Sequence, residues 1–527
     1  MIAIWTRKNF TMMKKGGKVL ELKHIVEPVL LFNHDQKVTD PRDGLTLFGP
    51  FNKNKINNFS VGIIGTEKGI ARMKKWINRF LKPMMPLKKD YAKPFYPGFE
   101  AIFGITINLN STVEIKVDEN KLNEFYRYTD NHVRVASMVD LYVDSLIEYK
   151  TDDDRPPVNL WFVVIPEQIY QHGRIKSKGL GDPIKIGIKN KYERSNPSLF
   201  DEIDPDYAKL KKAYEYDNNF HNQLKLKLLK HEILTQIIRE STVAYLEEEF
   251  LKKNREPKRD LSQMETDVAW NIATSTYYKI GGLPWKLGGI RKDVCYIGMV
   301  FKIDERQKKN KYACCAAQMF LDSGDGMVFK GAVGPWYNEG TKEYHLTREA
   351  ALDLLSKAIQ SFKKSNDQEL PKEIFIHGRT HFNNEEWAGF CDAVSDLDIS
   401  LVGVSIKDEK VFKLYRDKNF PILRGSYLIK DENNAFLWTK GFIPRLQQPL
   451  GMETPNPLTI QITRGKGNVK IEIVCKDILA LTKLNYNSCR FCDGLPVTLK
   501  FANVIGEVLT AGNLEGLKPA LPFRYYI

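Results

Sequence analysis

The sequence predicts an α/β protein with more than one domain. Its 527 residues are more than one hydrophobic core usually organises, and the 43% that are hydrophobic suffice for several cores. Short apolar strands alternate with helices over 159–282, whereas longer strands follow one another from Val294 onward. This change of pattern predicts an α/β layer structure in the first half and a different order of elements in the second.

The first half carries a signal for each of its elements. The run 159–166 is apolar and ends at Pro166, which predicts a buried strand. Gly281 and Gly282 form a stop signal for the helix before them. Composition and spacing also predict an amphipathic helix near 70–80, a helix at 220–230, a strand at 233–238, a helix near 264–279, and connections at 40–51 and 183–217.

The second half has a more specific order of elements. Successive β signals at 294–302, 312–321 and 327–333 predict three antiparallel strands. Helices and strands alternate after them, and two further helices are expected at about 469–483 and 499–511. This is the order of an RNase H-like domain, although many α+β folds would also fit.

The charge favours a polyanionic partner. The chain has 79 Lys and Arg against 65 Asp and Glu, a formal net charge of +14. Each phosphate that such a surface neutralises releases condensed counterions, which favours binding. The helix near 70–80 has Arg72, Lys75 and Arg79 on its polar face, which is either solvated or borders a nucleic-acid channel. Charge alone leaves nucleic acid, an anionic membrane and simple solubility open.

The sequence predicts a cytoplasmic protein. No stretch reaches the roughly 18 consecutive apolar residues of a membrane span, and the first residues lack the apolar segment of a signal peptide. Residues 1–18 are expected to form a polar, basic leader. The seven cysteines are an odd number and do not suggest a disulfide framework. Cys489 and Cys492 have the spacing of a zinc or redox pair, but no second pair accompanies them, so we expect a turn there.

One group of polar residues has the chemistry to hold a terminal phosphate. His221 and Lys225 are four residues apart and therefore share one helix face. Gln236 lies in the next strand, and Lys279 lies at a helix end. Two ammonium groups, an imidazole and an amide supply charge and directional donors. By spacing alone, the same pattern is also typical of an ordinary solvated helix.

These residues and several separated motifs resemble short prokaryotic Argonautes. The residues His221, Lys225, Gln236 and Lys279 resemble the MID-domain pocket that grips the 5′ phosphate of a guide strand. Segment 278–282 belongs to the same pocket motif, and segments 481–487 and 495–507 resemble the end of a PIWI domain. Segments 40–51, 313–322 and 334–337 are closest to the Argonaute subunit of SPARTA systems.

The resemblance covers about 19–527 and implies two domains. An N-terminal segment and a Rossmann-like MID domain would occupy 19–285, and an RNase H-like PIWI domain would occupy 286–527. In the family, the carboxylate of the last residue, here Ile527, reaches back to the MID pocket, often through a metal ion. The resemblance therefore implies Mg²⁺ at the 5′-phosphate pocket, with Ile527 as its ligand.

The resemblance also implies that the PIWI domain is catalytically inactive. Slicing Argonautes place one Asp two residues after the Gly of the first PIWI strand and another just after the fourth strand. Here Val300 stands at the first position and Gly378 at or near the second, and Asn485 and Asn487 lie near the last acidic or histidine position. Two-metal hydrolysis needs carboxylates around hard cations, which Val and Gly do not supply.

Other polar residues near these strands are expected to have simpler roles. Asp322, Asp325 and Glu385 are typical of turns and helix starts. His377 and His381 lack a third metal ligand in register, so we expect strand-end polar residues near a nucleic-acid backbone.

The implied function is that of a sensor in prokaryotic immunity. The MID and PIWI motifs leave no segment for separate N and PAZ domains, and in the resembled systems a second protein with an APAZ region covers the rest of the guide. The resemblance implies that the chain binds guide RNA, pairs it with target single-stranded DNA, and activates a TIR-APAZ partner, which oligomerises and hydrolyses NAD. The alternatives are a Sir2 or nuclease APAZ partner, a guide-binding decoy, and a stand-alone guide-directed nuclease. Carboxylates at 300 and 378 would have favoured the stand-alone nuclease.

Overall fold

In a computed structural model, the chain forms two sheet-centred halves and an N-terminal segment that contacts both. The structure describes residues 10–13, 19–52, 59–86, 91, 93–186, 205–252, 266–289, 291–303, 313–320, 326–334, 336–340, 342–410, 412–416, 420–451, 453–465, 469–514, 517 and 520–527.

The helices, in chain order, are α1 (Pro41–Phe48), α2 (Glu67–Phe80), α3 (Phe99–Phe103), α4 (Glu119–Phe125), α5 (Asn131–Thr151), α6 (Glu167–His172), α7 (Pro205–Ala213), α8 (Phe220–Leu229), α9 (Glu240–Val243), α10 (Thr266–Lys279), α11 (Arg348–Ser365), α12 (Asn384–Asp392), α13 (Ile471–Leu481) and α14 (Val497–Leu509).

The strands are β1 (Phe10–Met13), β2 (Val19–His24), β3 (Val29–Leu31), β4 (Lys37–Val38), β5 (Val61–Gly65), β6 (Val113–Lys116), β7 (Leu160–Ile165), β8 (Thr235–Arg239), β9 (Lys286–Gly288), β10 (Val294–Ile303), β11 (Ala313–Phe320), β12 (Gly326–Gly334), β13 (Tyr337–Asn338), β14 (Glu343–Tyr344), β15 (Glu373–Gly378), β16 (Ser400–Asp408), β17 (Ser426–Asp431), β18 (Asn434–Leu437), β19 (Phe442–Ile443), β20 (Gln448–Pro449), β21 (Leu458–Gly465) and β22 (Ala520–Pro522).

The first half is built on a parallel sheet with helices on both faces. Its strand order is β6-β5-β7-β8, and every pair is parallel. Alternate residues of β7 face opposite cores: Val163 packs in the cluster that holds α5, whereas Phe162 packs in the cluster that holds α2. A strand covered on both faces reads as a continuous apolar run, which is why 159–166 was predictable. The α/β layer structure expected for this half is confirmed.

The second half contains an 11-stranded sheet with the order β1-β2-β17-β18-β21-β16-β15-β10-β11-β12-β22. Strand β10 pairs antiparallel with β11 and parallel with β15, which pairs parallel with β16. Helices α11 and α12 contribute to the core on one face, whereas α13 and α14 belong to the core that faces the first half. Three antiparallel strands followed by strand–helix alternation confirm the expected RNase H-like order.

The N-terminal segment contacts both halves. Strands β1 and β2 form a hairpin that extends the second sheet beside β17, so Phe10–Met13, within the expected leader, is a strand. Pairing satisfies the backbone donors and acceptors that an isolated basic tail would leave to water. The chain then pairs β3 with β4 and β9, and continues into β5 of the first sheet.

Three regions differ from the sequence-based expectation. The turn-rich stretch 40–51 contains helix α1, because Asp40 accepts a hydrogen bond from the Arg42 backbone N–H at 3.0 Å and Pro41 occupies the first helical turn. Residues that favour turns also favour helix starts, and this made the stretch ambiguous. Helix α7 lies within the expected connection 183–217, and the 21-residue helix α5 was not predicted.

Arg72 does not lie on a solvated face of α2. Its side chain is buried and forms ion pairs with Glu240, Glu247 and Glu249. Acidic partners more than 160 residues further along the chain therefore neutralise it. The expected exposure is therefore wrong for Arg72, whereas Lys75 and Arg79 of the same predicted face are exposed. In the part of the chain that the structure describes, no helix is long and apolar enough to cross a membrane.

Candidate functional site

The residues predicted to hold a phosphate come from four elements. His221 and Lys225 lie one turn apart on α8. Asn219 caps the start of this helix, since its side chain accepts from the Asn222 backbone N–H. Gln236 lies in β8 beside Phe162 of β7, and Lys279 is the last residue of α10. Ile527 follows β22 and is buried.

The two lysines share one acceptor. Lys225 Nζ donates to the backbone oxygen of Thr235 at 2.8 Å and to that of Ile527 at 2.5 Å. Lys279 Nζ donates to the same Thr235 oxygen at 2.8 Å and to Gln236 Oε1 at 2.6 Å. The two ammonium nitrogens are therefore close neighbours, and the structure brings Lys225, Gln236, Lys279 and Ile527 together.

This lysine pair is buried without a matching negative side chain. Lys225 is 2% exposed and Lys279 is 1% exposed, and neither forms an ion pair with a carboxylate side chain of the described residues. Burial lowers the pKa of Lys225 to about 7. Burial, together with the neighbouring Lys225 ammonium, lowers the pKa of Lys279 well below its usual range. An anion placed between the two lysines would offset the cost of burying them and their mutual repulsion.

Thr235 is a site residue that the sequence did not reveal. Its backbone oxygen holds both lysines, and its hydroxyl oxygen is buried without a hydrogen-bond partner among the described residues. A buried hydroxyl usually finds a partner, so this group is a candidate donor to a ligand. A lone Thr beside Gln236 carries no sequence signal for this role.

His221 lines a concave pocket. The surrounding protein and the nearby Lys225 ammonium lower the pKa of His221 to about 4, so the ring is neutral near pH 7. Its Nδ1 lies 3.2 Å from Asn222 Oδ1. Because an amide oxygen accepts, Nδ1 carries the hydrogen of the neutral ring, and His221 therefore offers a flat ring and an Nε2 acceptor rather than a charge.

The same pocket contains an arginine–tyrosine cluster that sequence reasoning missed. The guanidinium groups of Arg174 and Arg239 lie over the Tyr170 ring, 3.4 Å and 3.9 Å from its centroid. These residues, His221 and Glu507 of α14 all line the pocket. The three members of the cluster come from α6, the loop after it and β8, so only the fold brings them together. The cluster adds positive charge and an aromatic surface to the pocket that His221 lines.

Val300 and Gly378 lie on neighbouring strands of the second sheet. Val300 is in β10, opposite Ala316 of β11, and is 7% exposed. Gly378 ends β15, and the preceding His377 pairs with Gly298 of β10. Neither Val300 nor Gly378 has a side-chain oxygen that could bind a metal ion.

His377 is not at a nucleic-acid surface, contrary to expectation. It is 1% exposed, and its Nδ1 lies 3.0 Å from Thr498 Oγ1 of α14. Burial lowers its pKa to about 3, so the ring is neutral. His381 is exposed, so the two histidines do not share one environment.

The loop with Asn485 and Asn487 packs against residues at the end of the first half. Its Tyr486 packs against Tyr278 and Trp285, whereas the helix that packs on β10 is α14. Glu385 lies in the first turn of α12, as expected, and Asp322 and Asp325 lie outside the described residues.

The cysteine pair 489 and 492 has no metal-binding geometry in the described part of the chain. Both thiols are free and buried. Burial raises the pKa of Cys489 to about 12 and that of Cys492 to about 11. No group of three or more His, Cys, Asp or Glu side chains suited to a metal ion occurs among the described residues.

Comparison with known proteins shows what this architecture resembles. No protein-family model matches the chain. The Argonaute protein of Aquifex aeolicus is 24% identical over 262 residues, which are 49% of this chain and 34% of that protein.

Solved structures resemble a larger part of the chain. Clostridium butyricum Argonaute, bound to a guide DNA and a 19-mer target DNA, superposes with a TM-score of 0.61 at 18% identity and covers 95% of this chain and 54% of its own. Drosophila Piwi superposes with a TM-score of 0.57 at 12% identity, over 98% of this chain and 57% of its own. The chain thus spans little more than half the length of these proteins. Its fold is that of the part of Argonautes that contains the MID domain and the RNase H-like PIWI domain.

Proposed function

We propose that the chain binds the 5′-phosphorylated end of a guide RNA and uses that guide to detect single-stranded DNA in the cytoplasm. The observation that carries the first step is the lysine pair Lys225 and Lys279, buried around the Thr235 oxygen without a carboxylate side chain. A phosphate adds negative charge beside the two lysines and accepts charge-assisted hydrogen bonds. The surplus of 79 basic over 65 acidic residues supports a polyanionic ligand.

The test is whether binding depends on the 5′ phosphate. Affinities of matched RNA strands with a 5′ phosphate and a 5′ hydroxyl are measured for the wild type and for Lys225→Met. We expect the variant to lose about tenfold or more in affinity for the phosphorylated strand alone, since it loses one charge-assisted contact.

Lys227→Met is the matched control. Lys227 lies on the same helix, but it is paired with Asp140 on another face. Equal losses for both strands in Lys225→Met, or the same loss in Lys227→Met, would show a general basic surface instead of a phosphate pocket.

We further propose that the chain does not cleave its target. Val300 and Gly378 support this, because the resemblance to slicing Argonautes aligns Val300 with one metal-binding Asp and Gly378 at or near another. Purified protein is incubated with 5′-phosphorylated guide and complementary DNA or RNA in Mg²⁺ and in Mn²⁺, and we expect intact target. Guide-dependent cuts at one fixed position that survive repurification would favour the stand-alone nuclease.

We also propose that Mg²⁺ binds at the phosphate pocket, although the protein atoms alone do not supply all of its ligands. The backbone oxygen of Ile527 is a possible ligand, but Lys225 already donates to it, and Lys279 holds Gln236 Oε1. Phosphate oxygens of a bound strand would have to supply the remaining ligands. We therefore expect chelation of Mg²⁺ to weaken the preference for a 5′ phosphate without abolishing it.

The proposed output is activation of a separate TIR-APAZ protein that hydrolyses NAD. The support is the resemblance of segments 40–51, 313–322 and 334–337 to SPARTA Argonautes. NAD is followed while single-stranded DNA is added to the two proteins and guide RNA, and activity should require all four components. Consumption by this chain alone, or equally without target, would contradict the sensor role. Target-dependent activity with a Sir2 or nuclease APAZ protein instead would identify the alternative partner.

A further inference from the structure

The proposed phosphate site is assembled from two parts of the chain. Lys225 and Lys279 belong to the first half, whereas Ile527 follows β22 of the second sheet. The bond from Lys225 Nζ to Ile527 O, at 2.5 Å, joins residues 302 positions apart. A hydrogen bond weakens strongly when its length grows by about 1 Å. The site therefore depends on how the two halves are held together.

A row of buried aromatic rings lies at this junction. We call it the aromatic seam; its members are Trp285, Tyr486, Tyr278, Phe523 and Phe501, and each is at most 5% exposed. The ring centroids of neighbours along this row lie 5.3, 4.8, 6.4 and 4.2 Å apart. Offset and tilted pairs at such distances add to the hydrophobic gain of burial.

Two neighbouring members of the seam lie close to residues of the phosphate site in the chain. Tyr278 directly precedes Lys279, and Phe523 lies in the short helix just before Ile527. Tyr486 contacts Tyr278 with its ring and donates its hydroxyl hydrogen bond to the backbone oxygen of Trp285 at 2.8 Å. Tyr486 thus fixes a second-half loop against the turn of α10 that carries Lys279.

We propose that Tyr486 is a positioning residue that, through Tyr278 and Phe523, holds Ile527 in register with Lys225 and Lys279. The inference rests on the proposed phosphate-binding function. Removing the ring leaves the lysines in place but loosens the seam, so the Ile527 oxygen no longer meets Lys225. The contact that discriminates the 5′ phosphate is then weakened, whereas contacts to the rest of the strand remain.

The test compares three variants. In Tyr486→Leu the ratio of affinities for 5′-phosphate and 5′-hydroxyl RNA should fall about tenfold, the loss of roughly one charge-assisted contact. Tyr486→Phe keeps the ring and should retain most of the ratio. Trp438→Leu is the matched control, because Trp438 is fully buried in a separate cluster with Leu414 and Leu428.

Hydrogen exchange of 520–527 supplies a readout that needs no ligand. We expect faster exchange there in Tyr486→Leu and no change in Trp438→Leu. If Tyr486→Leu does not fold, Phe523→Leu removes another member of the seam and is measured in the same way.

The outcomes separate this inference from the proposed function. A wild type that binds both strands equally overturns the proposed function and this inference with it. If the wild type prefers the phosphate, and Tyr486→Leu has the same affinity ratio and the same hydrogen exchange as the wild type, only the positioning role of Tyr486 is overturned. An equal fall of the ratio in Trp438→Leu would show general destabilisation and would also overturn it.

Discussion

Lys225 and Lys279 differ from solvent-exposed lysines in their burial and in their pKa values. Both ammonium groups are buried and meet at the Thr235 oxygen, and burial lowers the pKa of each. Keeping both ammonium groups charged is unfavourable in the ligand-free protein, and a negative charge placed between them would offset that cost. The local charge arrangement therefore favours an anion before any strand arrives.

This arrangement predicts a pH dependence of strand binding. The pKa of Lys225 is lowered to about 7 in the free protein, and a bound phosphate favours the protonated ammonium, so binding takes up a proton near neutral pH. Affinity for 5′-phosphorylated RNA should fall as pH rises through about 7. The phosphate remains mostly a dianion in this range, because its second pKa is about 6.

The measurement is the dissociation constant at pH 7 and about one unit above it, where the phosphate stays mostly a dianion. The 5′-hydroxyl strand is the control and should show little change. A phosphate preference in the wild type that is constant across this range would contradict proton uptake by Lys225.

At the scale of elements, α14 is pressed directly on β10. Gly298 leaves room for the backbone of α14, since a Cβ atom there would lie 1.9 Å from the Thr498 oxygen. Two backbones meet at this point, and neither can turn away as a flexible side chain would. The contact fixes α14, whose Glu507 reaches the pocket of His221.

Gly298→Ala should therefore destabilise the protein by about 1–3 kcal/mol or more, because overpacking forces backbone shifts. The free energy of unfolding is measured by urea denaturation. Gly378→Ala, on the neighbouring strand, is the matched control, since the nearest atom to its new Cβ is Cζ of the Phe382 ring at 3.2 Å. Equal stability of the two variants would contradict the close backbone contact.

At the scale of the whole molecule, the N-terminal segment is tied to the second half by a buried ion cluster. Glu27 pairs with Arg424 at 2.9 Å and with Lys483 at 2.8 Å. Burial pushes the pKa of Glu27 up, but the two cations more than offset this and hold it below its usual range. This stabilisation is present above the usual carboxylate pKa and is lost as pH falls through the lowered one.

Glu27→Gln should cost about 3–5 kcal/mol of stability, because it leaves two buried cations without their carboxylate. Urea denaturation at neutral pH gives the free energy of unfolding. Asp43→Asn in the same segment is the control; its pair with Arg445 is partly exposed, so about 1 kcal/mol or less is expected. Similar losses of unfolding free energy in both variants would show that the buried Glu27 cluster stabilises the protein no more than the partly exposed Asp43 pair.

The sequence by itself determined those features that depend on neighbours along the chain. Apolar runs and helical spacing predicted β7, β10 and α8, because periodicity is a local property. The spacing of His221 and Lys225 likewise placed both on one helix face. Residue type and position suggested Gln236 and Lys279 as their partners, and motif resemblance added Ile527. Helix α1 was missed since its capping residues are also turn residues.

Only the tertiary structure decided which of these residues meet. Thr235 joins the two lysines, Ile527 reaches Lys225 across 302 positions, and Arg72 is neutralised by acids far along the chain. His377 is buried by α14, and β1 with β2 extends the second sheet. Burial and ion pairing depend on long-range packing, and local sequence patterns carry no information about those partners.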